Sequence, residues 1–101
     1  MIKHIVFWRL KAVAHGNSKL TNARIIKEKL EGLRGRIPGL LAIELGIDTS
    51  ATETAGDIVL YSEFASQAAL EAYQVHPEHQ AIVPFVREAQ AERRMIDYAC
   101  S

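Results

Sequence analysis

Cysteine is nearly missing from this sequence of 101 residues: Cys100, beside the C-terminus, is the only one. One thiol closes no internal disulfide, and the simplest setting for such a chain is a reducing, cytoplasmic compartment. No apolar run approaches the length that crosses a bilayer, so no membrane span is expected. The first residues carry one lysine followed by strand-like alternation, which does not read as a secretory signal. Neither sign of charge prevails, with 12 Lys and Arg against 12 Asp and Glu. There is no basic stripe with interleaved aromatics, and so no electrostatic case for nucleic acid. The glycines fall into no phosphate-cradling spacing. Low-complexity segments and internal linkers are absent. His76 and His79 are three apart, but no cysteine or acidic cluster completes a metal site around them, so neither metal nor cofactor is expected.

About half of the residues are hydrophobic, which suits one globular domain over residues 1–101. Ile2 to Leu10 reads as a strand. Ile2, His4, Val6, Trp8 and Leu10 point one way, and Lys3, Ile5, Phe7 and Arg9 the other. Such a strand, apolar on both sides, should be covered on both sides. His15 to Ser18 is a loop in which Asn17 or Ser18 can cap a helix running to about Leu33. Ala23, Ile26, Leu30 and Leu33 form the buried stripe of that helix, with Ile25 off it. Gly35 and Pro38 end it.

Leu40 to Asp48 is a second strand whose apolar face is Leu41, Ile43, Leu45 and Ile47. After a polar loop over 49–55, Ile58 to Phe64 forms a third, with Val59, Tyr61 and Glu63 opposite Ile58, Leu60, Ser62 and Phe64. Ser66 is placed to cap a helix through Val75. Pro77 lacks an N–H and disfavours the helical region for His76, so this helix should stop or kink there. A second helical segment then runs to about Ala89, with His79, Ile82, Val83 and Val86 on one face. Arg93 to Tyr98 is the last strand.

The order strand–helix–strand–strand–helix–strand folds, by the right-handed crossover rule, into a four-stranded antiparallel sheet with helices on one face. This is the ferredoxin-like α+β arrangement, βαββαβ. Ile5, Phe7, Val59 and Tyr61 are left on the uncovered side. An apolar patch of that kind predicts a homodimer joined through the sheet faces, closing a dimeric α/β barrel.

Five stretches carry a family resemblance. They are Ile2-Lys3-His4-Ile5-Val6-Phe7, the Ile37-Pro38-Gly39-Leu40 turn, Gly46-Ile47-Asp48, Tyr73 with His76-Pro77-x-His79, and Ile96-Asp97-Tyr98. In this order and spacing they resemble the stress-responsive dimeric α/β-barrel (Dabb) proteins, over nearly the whole chain. Many members have no assigned activity, and some are plant polyketide cyclases that perform an aldol condensation without a cofactor. The resemblance implies that His79 acts as general acid/base held by Asp97, that Tyr73 binds and polarises substrate, and that His4 lines the pocket. Two positions depart from the cyclases: Ile58 replaces a pocket histidine and Leu30 a pocket tyrosine, making the pocket more apolar.

A carboxylate on one imidazole nitrogen fixes the tautomer and leaves the other nitrogen to exchange a proton near neutral pH. The working expectation is a His79–Asp97 dyad beside a pocket walled by Leu30, Leu60, Ile82 and Met95, which requires Asp97 to turn toward the helices and Ile96 and Tyr98 toward the dimer face. His4 and His76 are further substrate-contact candidates. The architectural alternatives are a satisfied core histidine at His4, a helix-end cap at His76 and a packed aromatic at Tyr73. Three functions remain open: a cofactor-independent enzyme acting on a carbonyl compound, a non-catalytic binder of an apolar small molecule, and a monooxygenase-like barrel.

Overall fold

Alternation over the first ten residues produces β1 (Ile2–Leu10). In the computed structural model, which describes residues 1–100, His4, Val6, Trp8 and Leu10 are buried on one face of this strand. A short hairpin follows, β2 (Val13–Ala14) paired with β3 (Asn17–Ser18). The sequence predicted only a loop here, because two-residue strands are too short to show a period. Ser18 caps α1 (Lys19–Glu31) by accepting the Thr21 N–H. Asn22 ties hairpin to helix: it donates to the Ala14 carbonyl at 2.9 Å and accepts from the Asn17 amide. Ala23, Ile26 and Leu30 form the buried stripe of α1. Leu33 lies past the helix end yet is buried in the following turn.

The remaining elements are β4 (Leu40–Ile47), β5 (Ile58–Phe64), α2 (Gln67–Gln74), α3 (Pro77–Gln80), α4 (Val83–Ala89) and β6 (Gln90–Ala99). Ser66 caps α2 through the Ala69 N–H, and Pro77 opens α3 in the position where its missing N–H costs nothing. β6 begins at Gln90 rather than Arg93, directly out of α4.

The four long strands pair antiparallel in the order β4-β5-β1-β6, the ferredoxin-like sheet. One β4 expectation fails. Leu40 stands opposite Phe64 and Ala42 opposite Glu63, an irregularity that leaves Leu41 without a partner position. Leu40 packs on the core, while Leu41 is 58% exposed and is not part of the buried face. Ile43 and Leu45 are buried as the alternation predicts.

The helices cover the face carrying Val6, Leu45, Leu60 and Phe64, all within 2% of full burial. The other face is bare. Phe7, Val59, Ile96 and Tyr98 stand exposed on it, with Ile5 and Tyr61 half-buried between them. No helix among the described residues is long and apolar enough to cross a membrane.

Candidate functional site

The β1–β6 register sets His4 directly against Asp97, and Trp8 against Arg93. Directly paired residues share a sheet face, so all four side chains belong to the helix-covered side. His4 is buried, and its Nδ1–H donates to the Asp97 carboxylate in a short hydrogen bond. Since the carboxylate can only accept, the proton sits on Nδ1 and the Nε2 lone pair is left available. The strand beneath is pinned as well: the buried Ser62 hydroxyl donates to the His4 carbonyl at 2.8 Å.

Above this pair runs an aromatic series. The Phe64 and Tyr73 rings lie 4.9 Å apart, Tyr73 and His79 lie 4.2 Å apart, and His4 approaches Tyr73 edge-on at 6.3 Å. His4, Tyr73 and His79 all line one cavity of about 440 Å³ between helices and sheet, with Leu30, Leu60 and Ile82 among its apolar walls.

Burial pushes the Tyr73 hydroxyl's pKa far up, only partly opposed by the positive charge of Arg93. The phenol is therefore a donor at neutral pH and not a base. Burial also lowers the pKa of His79. The hydrogen bond from its Nδ1–H to the Gln74 carbonyl opposes this shift, and the neighbouring His4, Arg93 and His76 reinforce it. His79 is thus held neutral, with Nε2 free to accept a proton.

Three site expectations need correction. Asp97 turns toward the helices as required, but it engages His4 and not His79, because the ladder register puts an imidazole immediately beside it. Met95 does not wall the cavity. It shares the inward parity of Asp97, but β6 is an edge strand and Met95 remains 43% exposed. His76 makes no cavity contact; its Nδ1 accepts the Glu78 N–H at 3.1 Å, capping α3.

The sequence reading passed over two contributors. Trp8, read from the sequence only as one residue of a strand face, lines the cavity, as does Arg93. Both follow from parity: Trp8 alternates with His4, and Arg93 with Asp97. The Trp8 Nε1 and Tyr73 Oη atoms are buried with no hydrogen-bond partner in the protein. Each such group costs about 1–3 kcal/mol when left unmatched, and both belong to residues that line the cavity.

The sheet order and the helical cover on one face define a ferredoxin-like α+β protein, with the cavity and the His4–Asp97 pair between helices and sheet. The chain belongs to the stress responsive A/B barrel domain family, whose model matches residues 2–100. It is 32% identical to a dimeric protein of unknown function and ferredoxin-like fold from Bacteroides fragilis, covering 98% of this chain and 95% of that one at a TM-score of 0.87. A Dabb family protein from Mesorhizobium loti is 26% identical, covering 99% and 96%, with a TM-score of 0.71. A hydroxynitrile lyase from Passiflora edulis shares the fold at a TM-score of 0.80 and 17% identity, covering 99% of this chain and 93% of the lyase. No functionally curated protein matches the sequence.

Proposed function

We propose that this chain binds an apolar carbonyl compound in the His4–Tyr73–His79 cavity and moves protons on it without a cofactor. One observation carries the reading: a buried imidazole whose Nδ1 is committed to Asp97 lines the cavity beside a buried, partnerless phenol. In the proposed step the Nε2 lone pair of His4 takes a proton from the carbon next to the carbonyl. The electron pair left behind moves to the carbonyl oxygen, which accepts a hydrogen bond from the Tyr73 hydroxyl. His79, neutral and in the same cavity, serves as the second proton carrier. Asp97 acts through His4 as a positioning residue. Proton removal from the carbon beside a carbonyl is the opening step of aldol cyclisation of polyketide-like substrates.

We further propose that the working unit is a homodimer through the bare sheet faces, as supported by the dimeric description of the Bacteroides protein and by the exposed apolar residues on that face. A single cysteine favours a reducing, cytoplasmic setting.

The test uses 2-decanone in heavy water. Deuterium entry next to the carbonyl is followed by NMR, and binding is followed through the fluorescence of Trp8, the chain's only tryptophan. Exchange above the buffer rate in the wild type, lost in His4→Ala with binding retained, supports the reading. Binding without exchange in the wild type would replace catalysis with the non-catalytic alternative.

A further inference from the structure

The cavity's polar inventory is one-sided. Two arginines, Arg87 and Arg93, line it, and no aspartate or glutamate does. The nearest carboxylate on the same sheet face, Asp97, is engaged by His4. The other acidic groups that form ion pairs are spent elsewhere: Glu31 on Lys27, Asp57 on Lys19, Glu78 on Arg36 and Glu92 on Arg94. Among the described residues neither Arg87 nor Arg93 has a side-chain hydrogen bond or an ion pair. Both are exposed residues, and two guanidinium groups on one cavity with no carboxylate beside them give it a positive side that favours an anionic occupant.

Arg93 has a specific neighbour. It stands directly opposite Trp8 in the β1–β6 ladder, and both side chains line the cavity. Trp8 is only 5% exposed, and its Nε1–H has no protein acceptor. An indole N–H can only donate. A guanidinium and an indole N–H on paired residues of one sheet face, both without protein acceptors, are suited to one oxyanion, the first by charge and the second by a directed hydrogen bond.

We propose that the natural occupant is an apolar acid, with its carboxylate held by Arg93 and Trp8 and its hydrocarbon body against Leu30, Leu60 and Ile82. This rests on the cavity being a ligand site, as proposed above, and adds the chemical class of the ligand. It also separates two tasks within one cavity. Arg93 and Trp8 hold a charged end, while His4, Tyr73 and His79 face a reacting carbonyl. Arg93 is exposed at one side, so its contribution is that of a partly solvated pair and not of a buried one.

The test compares decanoate, decanol and decylamine on the full-length protein by Trp8 fluorescence and by calorimetry. Decanoate should bind about fivefold more tightly than decanol, with decylamine weakest. Arg93→Gln should bring decanoate down to the affinity of decanol. Arg93→Lys should restore part of it, and added salt should weaken decanoate alone. Equal binding of decanoate and decanol overturns the acid assignment and leaves the cavity reading standing, provided that Leu30→Trp blocks both. Failure of all three to bind overturns both. A preference for decanoate that survives Arg93→Gln also overturns the proposal, since the anion would then be held elsewhere.

Discussion

Asp97 stands directly across the β1–β6 ladder from His4, and its carboxylate accepts the imidazole's Nδ1 proton. Replacing it with alanine removes that acceptor from a buried ring. We expect Asp97→Ala to lose about 1–3 kcal/mol in urea unfolding. In 15N–1H correlation spectra, His4 of the wild type should show a protonated Nδ1 and an unprotonated Nε2. Asp97→Ala should mix the two tautomers. A wild-type His4 protonated on Nε2 alone would contradict the arrangement.

The fold was legible because its signals are long and redundant. Nine residues of alternation in β1 and the break at His76–Pro77 each left one reading. The site was only half legible. Parity put Asp97 inward, but which imidazole it meets depends on strand register, and no single-strand pattern encodes register. His4 and His79 were equally available by residue type. The ladder decided for His4. Met95 failed for a different reason: parity assigns a face, while cover over that face depends on how far the helices reach across an edge strand. Leu41 failed because an irregularity at the start of β4 resets the alternation.

Tyr73 tests whether its hydroxyl is kept for stability or for a ligand. The ring is 1% exposed and the oxygen has no partner in the protein. Tyr73→Phe keeps the ring packing on Phe64 and His79 and removes only the unmatched group. The ligand-free variant should be as stable as the wild type or up to about 1 kcal/mol more stable, while 2-decanone binding weakens several-fold. A clear loss of stability would show that the hydroxyl already has a structural partner.

His79 predicts a pH dependence. Burial, the largest cause, together with nearby positive charge holds its pKa below the ordinary 6.5, against the opposing Gln74 hydrogen bond. The folded state therefore binds fewer protons here than the unfolded state. The contribution is complete above the ordinary imidazole value and is lost as pH falls through 6.5 toward the lowered folded value. Urea midpoints should decline across this interval, and His79→Gln should flatten the decline. Glu31, also lowered, acts in a separate interval below its ordinary 4.5. There burial alone would raise it, but Lys27, the Leu45 N–H and Arg34 outweigh burial.

The bare sheet face predicts the assembly state. Ile96 is paired with Ile5 in the ladder and is 58% exposed in the single chain. A carboxylate there costs nothing in a monomer but is desolvated when two faces close. Ile96→Asp should therefore sediment as a monomer at concentrations where the wild type is a dimer, with the circular dichroism of the fold retained. A wild type that sediments as a monomer at every concentration would remove the proposed interface.

Gly39 carries a constraint that the cavity depends on indirectly, since the turn before β4 seats α2 and, with it, Tyr73. Its φ is +81°, and a Cβ there would fall 2.5 Å from the Ala69 Cβ on α2. The left-handed backbone alone costs an alanine about 1 kcal/mol. The collision adds about 1–3 kcal/mol, because neither backbone can yield without moving the helix. Gly35 supplies the control, with a φ of +77° and nothing within 4 Å of its would-be Cβ. Gly35→Ala should lose about 1 kcal/mol, which is a few degrees in Tm for a chain of this size. Gly39→Ala should lose two to four times as much and should alter Trp8 fluorescence as α2 shifts over the cavity. Equal losses at the two glycines would mean that the turn and helix are not in contact as described.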